Sequence, residues 1–538
     1  MNDQLYTNAN ILTMLPKTSA AQALLVKEGR ISALGSEREL SDMAPNAERI
    51  DLQGHTLMPG FIDGHSHLMA TAYKRLIADL SPAPAGTCNS REDLIRTLKE
   101  WQKRNPLPPG RWLMGMGYDN SVYQDGKHPS RQELDCVSSE IPVLAVHTSG
   151  HLAVANTKAM ELLGYLGECP AVPAGGSVEP NGLLKEQAFL APEKQMLIGA
   201  PAPAELLESL KETSILYASY GYTTVQEGRA GSGEAHLLEE AGKRHLLITD
   251  VVEYFTPETA EKYLPKQHPS LNLYRNHCRA GGCKIFLDGS PQGKTAWLSK
   301  PYLIPPEDQE KGYCGFPLQS GEEALAVMRR CLKNRWQLNV HANGDAAIEQ
   351  MIDCYEAALR DTDRNEGLRP VIIHCQTVRE DQLKRMKQLG ILPSFFLDHV
   401  YYWGDYHVSS VLGIERAKQI SPAASAWKLG IPFTLHQDTP VVPPNALLSI
   451  HNAVNRQTLS GCVLGEEQRI PVHMALRALT NYAAYQIFEE KEKGSLLPGK
   501  RADFVVLSGN PLETPKEELK DICVLNTIKD GVQVYSKN

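Results

Sequence analysis

Six residues of this chain have the types and setting for chemistry on a metal ion: His65, His67, Lys284, His341, His374 and Asp438. His65 and His67 lie in Pro59-Gly60-Phe61-Ile62-Asp63-Gly64-His65-Ser66-His67. On a strand, residues two apart face the same side, so this spacing offers two imidazoles to one cation. Lys284 sits in Gly282-Cys283-Lys284-Ile285-Phe286-Leu287-Asp288, an apolar run expected to be buried on both faces. A buried ammonium is costly, which favours the neutral amine. Such an amine can add carbon dioxide and become an anionic carbamate able to bridge two metals. His341 (Asn339-Val340-His341) and His374 (Ile372-Ile373-His374) each close an apolar strand. Asp438 ends Ile431-Pro432-Phe433-Thr434-Leu435-His436-Gln437-Asp438 and is suited to take a proton from metal-bound water and pass it to a leaving amine. Taken singly, each has a plainer reading: polar loop residues, a lysine paired with a carboxylate, satisfied core histidines, a helix-capping aspartate. Taken in series, they read as the site of a metal-dependent hydrolase.

The elements that must position them recur along the chain. Apolar strand candidates fall at 60–67, 221–228, 246–254, 282–289, 336–343, 370–376, 391–398 and 431–438, most of them followed by a helical pattern. Strands alternating with helices call for a parallel sheet, and eight such units suit a (β/α)8 TIM barrel, whose active sites lie at the C-terminal ends of the strands. Short alternating runs at both ends of the chain are too small to bury a core separately. They predict one composite β-sandwich from residues 1–58 and 485–538, with the barrel over 59–484. The long gap between the first and second strands, where a short connection is usual, predicts an inserted α/β subdomain at about 75–205.

Bulk properties narrow the function. A length of 538 residues, 42% hydrophobic and 22% charged, fits a soluble globular protein of more than one module. A net charge of -8 provides no basic footprint for nucleic acid or an anionic membrane. The expected partner is a small-molecule substrate, with room for a homodimer. Eleven scattered cysteines, with no close pair and no apolar leader at the N-terminus, point to reduced thiols and a cytoplasmic location.

The segments PGFIDGHSH, CKIFLDGS, GKTAWLSKPY, NVHANGDAAI, IIHCQ, HQDTPV and LLPGKRADFVVL together resemble the amidohydrolase superfamily, specifically its amidohydrolase-3 branch of YtcJ-like hydrolases. SGHLAVAN and GGSVEPNGLLKE resemble that branch's inserted motifs, so the likeness spans nearly the whole chain. It implies hydrolysis of C–N bonds in amides, including N-substituted formamides. It also implies two divalent ions, Zn2+ in the first instance with Mn2+, Fe2+ or Co2+ as alternatives. His65 and His67 would hold the more buried ion, and His341 and His374 the more exposed one. Carboxylated Lys284 would bridge them, with Asp438 as ligand and base. Two departures concern hydrogen bonding around the ligands. Ile373 stands where many relatives have an acidic residue, and His436-Gln437 stands where many have Gly-Ser. Candidate substrate contacts are Phe396, His399 and Trp403 in an aromatic stretch after the seventh strand, which reads either as a stacking wall or as packing between insertion and barrel; His151 and Asn156, which either touch substrate or brace the insertion; and Gln292 and Lys294 past the fourth strand, where they could orient the scissile carbonyl. Two rival readings are an aminohydrolase (deaminase) or cyclic amidase on the same scaffold, and a non-catalytic regulatory protein.

Overall fold

A computed structural model describes residues 3–15, 21–167, 170–198, 201–306, 309–362 and 367–537. At its centre is an eight-stranded parallel sheet whose neighbours follow chain order. Its strands are Phe61–Ile62, Tyr222–Ala230, Asp250–Phe255, Cys278–Phe286, Gln337–Ala342, Val371–His374, Leu392–Phe395 and Thr434–Leu435. Residues of the fifth and sixth strands are buried along their whole length, as expected when helices cover one face and the other lines the interior. The sheet curls until its ends meet. His67 N–H donates to Thr439 O at 2.9 Å. At Gly64 a Cβ would stand 2.7 Å from Leu435 O, so only glycine allows this approach of the first strand to the eighth.

Two strands depart from expectation, each for a local reason. The first is two residues long rather than eight. Asp63 Oδ1 accepts the His65 N–H at 3.2 Å, which turns the chain out of the ladder before the histidines. The third begins at Asp250 rather than 246 because Ile248 N and Thr249 N donate to Ser214 Oγ of the helix Pro203–Ser219, at 2.9 and 3.2 Å.

Between the first two barrel strands lies a six-stranded mixed sheet running from Ala78–Asp79 to Leu183–Glu186, with the helix Arg91–Arg104 packed on it. It has apolar clusters of its own, one around Leu94, Leu98 and Val143, another around Leu144, Met160 and Phe189. Residues 168–169 and 199–200 of the expected insertion lie outside the described residues. Two small sheets complete the fold. One joins Gln4–Thr7, Ala23–Lys27, Arg30–Gly35 and Glu48–Asp51; the other pairs Asn10–Ile11 and Thr56–Pro59 with Phe504–Leu507, Val524–Lys529 and Val532–Ser536. The second sheet therefore draws strands from both ends of the chain. Tyr6 and Phe504 meet edge-on at 5.4 Å between the two sheets.

At the strand N-termini, opposite the histidines, a buried ion network ties the small sheets to the barrel. Lys493 Nζ lies 2.6 Å from Asp250 Oδ2 and 3.2 Å from Glu489, while Lys529 Nζ lies 3.1 Å from Asp250 and 3.3 Å from Asp503. Burial would raise the Asp250 carboxyl, but the two ammonium groups hold it well below the usual range. Removing one member leaves uncompensated buried charge. Asp250→Ala is expected to lower the unfolding free energy by about 3–5 kcal/mol in denaturant titration.

Candidate metal centre at the barrel mouth

The six residues singled out in the sequence meet at the C-terminal ends of the strands. Lys284 Nζ lies 3.1 Å from His65 Nε2. Asp438 Oδ1 lies 3.6 Å from His65 Nε2 and 3.4 Å from His67 Nε2, and its Oδ2 lies 3.9 Å from His374 Nε2. His374 Nε2 in turn lies 3.1 Å from His341 Nδ1. The His65 and His67 rings are 4.9 Å apart, brought together by the turn at Asp63 rather than by strand alternation. His374 and Asp438 have φ values of +72° and +52°, left-handed conformations that occur just where each strand ends. Holding a non-glycine residue there costs about 1–3 kcal/mol, a cost that clusters at functional sites.

Burial sets the protonation of the cluster. It pulls the imidazoles of His65, His341 and His374 well below their ordinary value, so they are neutral near pH 7 and their ring nitrogens can ligate. It brings the Lys284 amine down to about 7, with Asp438 opposing the shift. Burial also raises the Asp438 carboxyl, against the pull of His67, Lys284 and His151.

The donor chemistry fits divalent cations. Among the described residues, ligand atoms of His65, His67 and Asp438 lie within 4.8 Å of one another. Asp438 Oδ1, buried among them, has no hydrogen-bond partner. His341 Nε2 lies 3.1 Å from Gly289 O, a group that can only accept, so this imidazole presents Nε2–H to the carbonyl and keeps a lone pair on Nδ1 toward His374. Asn343 Nδ2 converges on the same carbonyl at 2.9 Å, 3.1 Å from His341 Nε2.

Several supporting groups were not singled out in the sequence. Glu227, at the end of the second strand, accepts the Met69 N–H at 2.8 Å and reaches within 3.8 Å of His67 Nδ1. Asp288 accepts backbone N–H groups of Asn343, Gly344 and Trp297 at 2.9, 2.7 and 3.0 Å, holding the loops after the fourth and fifth strands together. Glu186 accepts from His151 Nδ1 at 2.9 Å. Glu186 ends the inserted motif GGSVEPNGLLKE, the one sequence signal that marked it, and its backbone stands at a φ of +48°. His436 lies 3.1 Å from His374.

Expected substrate residues divide. The His151 ring lies 5.5 Å from that of His341, beside the centre. Phe396 lies 6.1 Å from the His374 ring, 4.6 Å from that of His399 and 6.1 Å from that of Trp403, so the aromatic stretch forms a wall next to a predicted ligand. Trp403 Nε1 donates to Asp119 Oδ2 at 2.5 Å, fastening that wall to the insertion. Gln292 is buried with an unpartnered Oε1, and Lys294 Nζ lies 5.7 Å from the Tyr406 ring centroid. Asn156 is committed elsewhere. It caps the helix Thr157–Leu162 and bonds Val143 N, Ser138 O and Ile141 O, so it braces the insertion.

Residues 48–535 match the amidohydrolase family. The chain is 28% identical over 566 residues to N-substituted formamide deformylase of Arthrobacter pascens, covering 100% of this chain and 99% of that protein. It is 27% identical over 556 residues to the Bacillus subtilis (strain 168) protein carrying the amidohydrolase name YtcJ, covering 98% of each. Among solved structures, a metal-dependent hydrolase from Pyrococcus furiosus superposes with a TM-score of 0.72 at 26% identity, covering 95% of this chain and 100% of that one. Among the described residues no helix is long and apolar enough to cross a membrane.

Burial would lower the His151 imidazole, yet its pKa is raised because Glu186 outweighs that cost. Glu186→Gln is therefore expected to drop the His151 pKa below the ordinary imidazole value. Titration of labelled histidine by NMR in metal-free protein reads this directly.

Proposed function

The chain belongs to the amidohydrolase family and is a hydrolase of carbon–nitrogen bonds, and from that premise we propose that it cleaves a small amide of the N-substituted formamide type at a two-ion centre. One observation carries the reading. The Asp438 carboxylate stands between two pairs of imidazoles, its Oδ1 toward His65 and His67 and its Oδ2 toward His374 beside His341. In this reading His65 and His67 hold one ion, His341 and His374 the other, and Asp438 completes the set. Lys284 would join it by adding carbon dioxide: a new N–C bond would form, one proton would leave the nitrogen, and the resulting anionic carbamate would be a further oxygen ligand for the metal. A depressed amine pKa favours that addition, because only the neutral form carries the nucleophilic lone pair.

Divalent ions, zinc in this reading, make water a usable nucleophile at neutral pH and polarise a substrate carbonyl. The remaining chemistry belongs to the chain. Asp438 accepts a proton on its carboxylate and delivers it to the departing nitrogen, so the amine leaves neutral. His151, held by Glu186, faces the centre from the insertion and is placed to donate to the substrate carbonyl oxygen. Phe396, His399 and Trp403 offer an apolar, aromatic surface beside His374, which suits an apolar or aromatic substituent on the amide nitrogen. The buried position of Lys284 against His65 Nε2 favours two ions over a one-ion aminohydrolase, which would not need that lysine. The convergence of all six groups argues against a regulatory protein that has lost its ligands. The two small sheets are read as one composite sandwich of residues 1–58 and 485–538, the barrel as 59–484, and residues at about 75–205 as the inserted subdomain over its mouth.

Asp438→Asn tests the assignment. It should retain at least one equivalent of metal by elemental analysis while kcat on N-formyl and N-acyl amines, aromatic ones included, falls by about 10²–10⁴-fold. Full turnover in that variant would remove Asp438 as the base. Carbamate formation has a separate readout: with 13C-bicarbonate and zinc, a carbamate carbon resonance should appear in wild type, grow as the pH of loading rises through about 7, and be missing in Lys284→Met.

A further inference from the structure

His436 is fully buried one strand away from His374, with both of its ring nitrogens engaged. Its Nε2 lies 3.1 Å from His374 Nδ1 and its Nδ1 lies 2.9 Å from Ser394 Oγ. The contacts continue to Thr434 Oγ1, 2.8 Å from Ser394 Oγ, and then to Gln486 Oε1, 2.6 Å from Thr434 Oγ1. Gln486 Nε2 donates to Gly64 O at 2.7 Å. Every side chain of this network is buried.

Gly64 O can only accept, which orients the Gln486 amide with its Oε1 toward Thr434. The Thr434 hydroxyl points its proton at Gln486 Oε1 and Ser394 Oγ, so the ladder ends at Ser394 and either ring nitrogen of His436 can carry that ring's proton. The metal reading selects between them. His374 Nε2 faces His341 Nδ1 at 3.1 Å and Asp438 Oδ2 at 3.9 Å, and His341 Nδ1 is a lone pair because His341 gives Nε2–H to Gly289 O. A cation shared by these atoms needs His374 Nε2 bare, which places that ring's proton on Nδ1. His436 Nε2 is the acceptor there, and His436 Nδ1–H then donates to Ser394 Oγ.

We propose that His436 is a positioning residue: through Ser394, Thr434 and Gln486 it holds His374 as the Nδ1–H tautomer, with Nε2 as its ligating atom. The inference rests on the two-ion reading given above and assigns a specific atom to it. Partners that orient a ligating histidine in this way typically contribute about 10–100-fold in metal affinity.

The test compares zinc binding, by chelator competition, in wild type, His436→Phe, His436→Gln and Ser394→Ala. His436→Phe keeps a ring of similar shape but offers no acceptor, and it should weaken one of the two ions by about 10–100-fold while leaving the other unchanged. His436→Gln can accept from His374 through its amide oxygen and donate to Ser394, so it should bind close to wild type. Ser394→Ala strands His436 Nδ1–H and should fall between them. With zinc bound, 15N-histidine spectra should report His374 carrying its proton on Nδ1 in wild type, and a mixture of tautomers in His436→Phe. Wild-type affinity in His436→Phe overturns the proposal, as does His436→Gln behaving like His436→Phe. Wild type that takes up no divalent ion overturns the two-ion reading, and this inference with it.

Discussion

The mouth of the barrel packs more lone pairs than protons into a buried space. Five imidazoles and an amine sit around one carboxylate, and burial strips His65, His341, His374 and His436 of the charge they would need to satisfy one another. In water such groups would each find a donor. Here Asp438 Oδ1 has none among the described residues, and His341 Nδ1 turns a bare lone pair toward His374. An arrangement of this kind is stable only if something positive shares the lone pairs, since an unsatisfied buried polar atom costs roughly 1–3 kcal/mol. The strained backbone at His374, Cys375 and Asp438 points the same way, with all three held at positive φ by the turns that aim the ligands inward. Preference for cations is thus a property of the fold rather than of any one residue.

That preference is affordable because the barrel separates its stabilising charges from its reactive ones. The Lys493–Asp250–Lys529 network is fully paired and lies at the strand N-termini. Each of its ammonium groups is shared between carboxylates, and through Lys529 it anchors the small sheet that joins both ends of the chain. The opposite end carries groups that are deliberately under-satisfied. The two ends are linked by strands buried on both faces, so the mouth is held by a rigid scaffold instead of by its own contacts.

Much of this was legible in the sequence, for a physical reason. In a parallel barrel every strand is a largely apolar run, and polar residues toward its C-terminal end or just beyond it fall at the mouth. Lys284, His341, His374 and Asp438 stand out against Ile, Val, Leu and Phe for that reason alone. What could not be read were relations between strands. The pairing of His65 with His67 comes from a turn at Asp63, not from strand alternation, and nothing in the spacing distinguishes the two. Glu227, Asp288 and Glu186 look like ordinary acidic residues near turns until neighbouring loops bring His67, Asn343 and His151 to them. Asn156 had two open readings from the sequence, substrate contact or bracing of the insertion, and only its helix cap and its bonds to Val143, Ser138 and Ile141 decide for bracing. His436 was visible only as an unusual neighbour of Asp438, because its meaning depends on Ser394 and Gln486, residues from other strands and helices.

The same distinction bears on substrate choice. The metal-facing groups are set by strand ends and change little if loops change. The surface facing the substrate is assembled from two separate pieces, the aromatic stretch after the seventh strand and the insertion after the first. Trp403 joins them by donating to Asp119, a carboxylate whose burial raises its pKa and whose other oxygen is taken by Ser121 N. Neither piece can shift without stranding that buried acid, so the wall and the lid move, or stay, as one body. A site built this way selects by the shape of the space between His151 and Phe396, and alterations in the insertion far from any ligand would reach the substrate through Trp403.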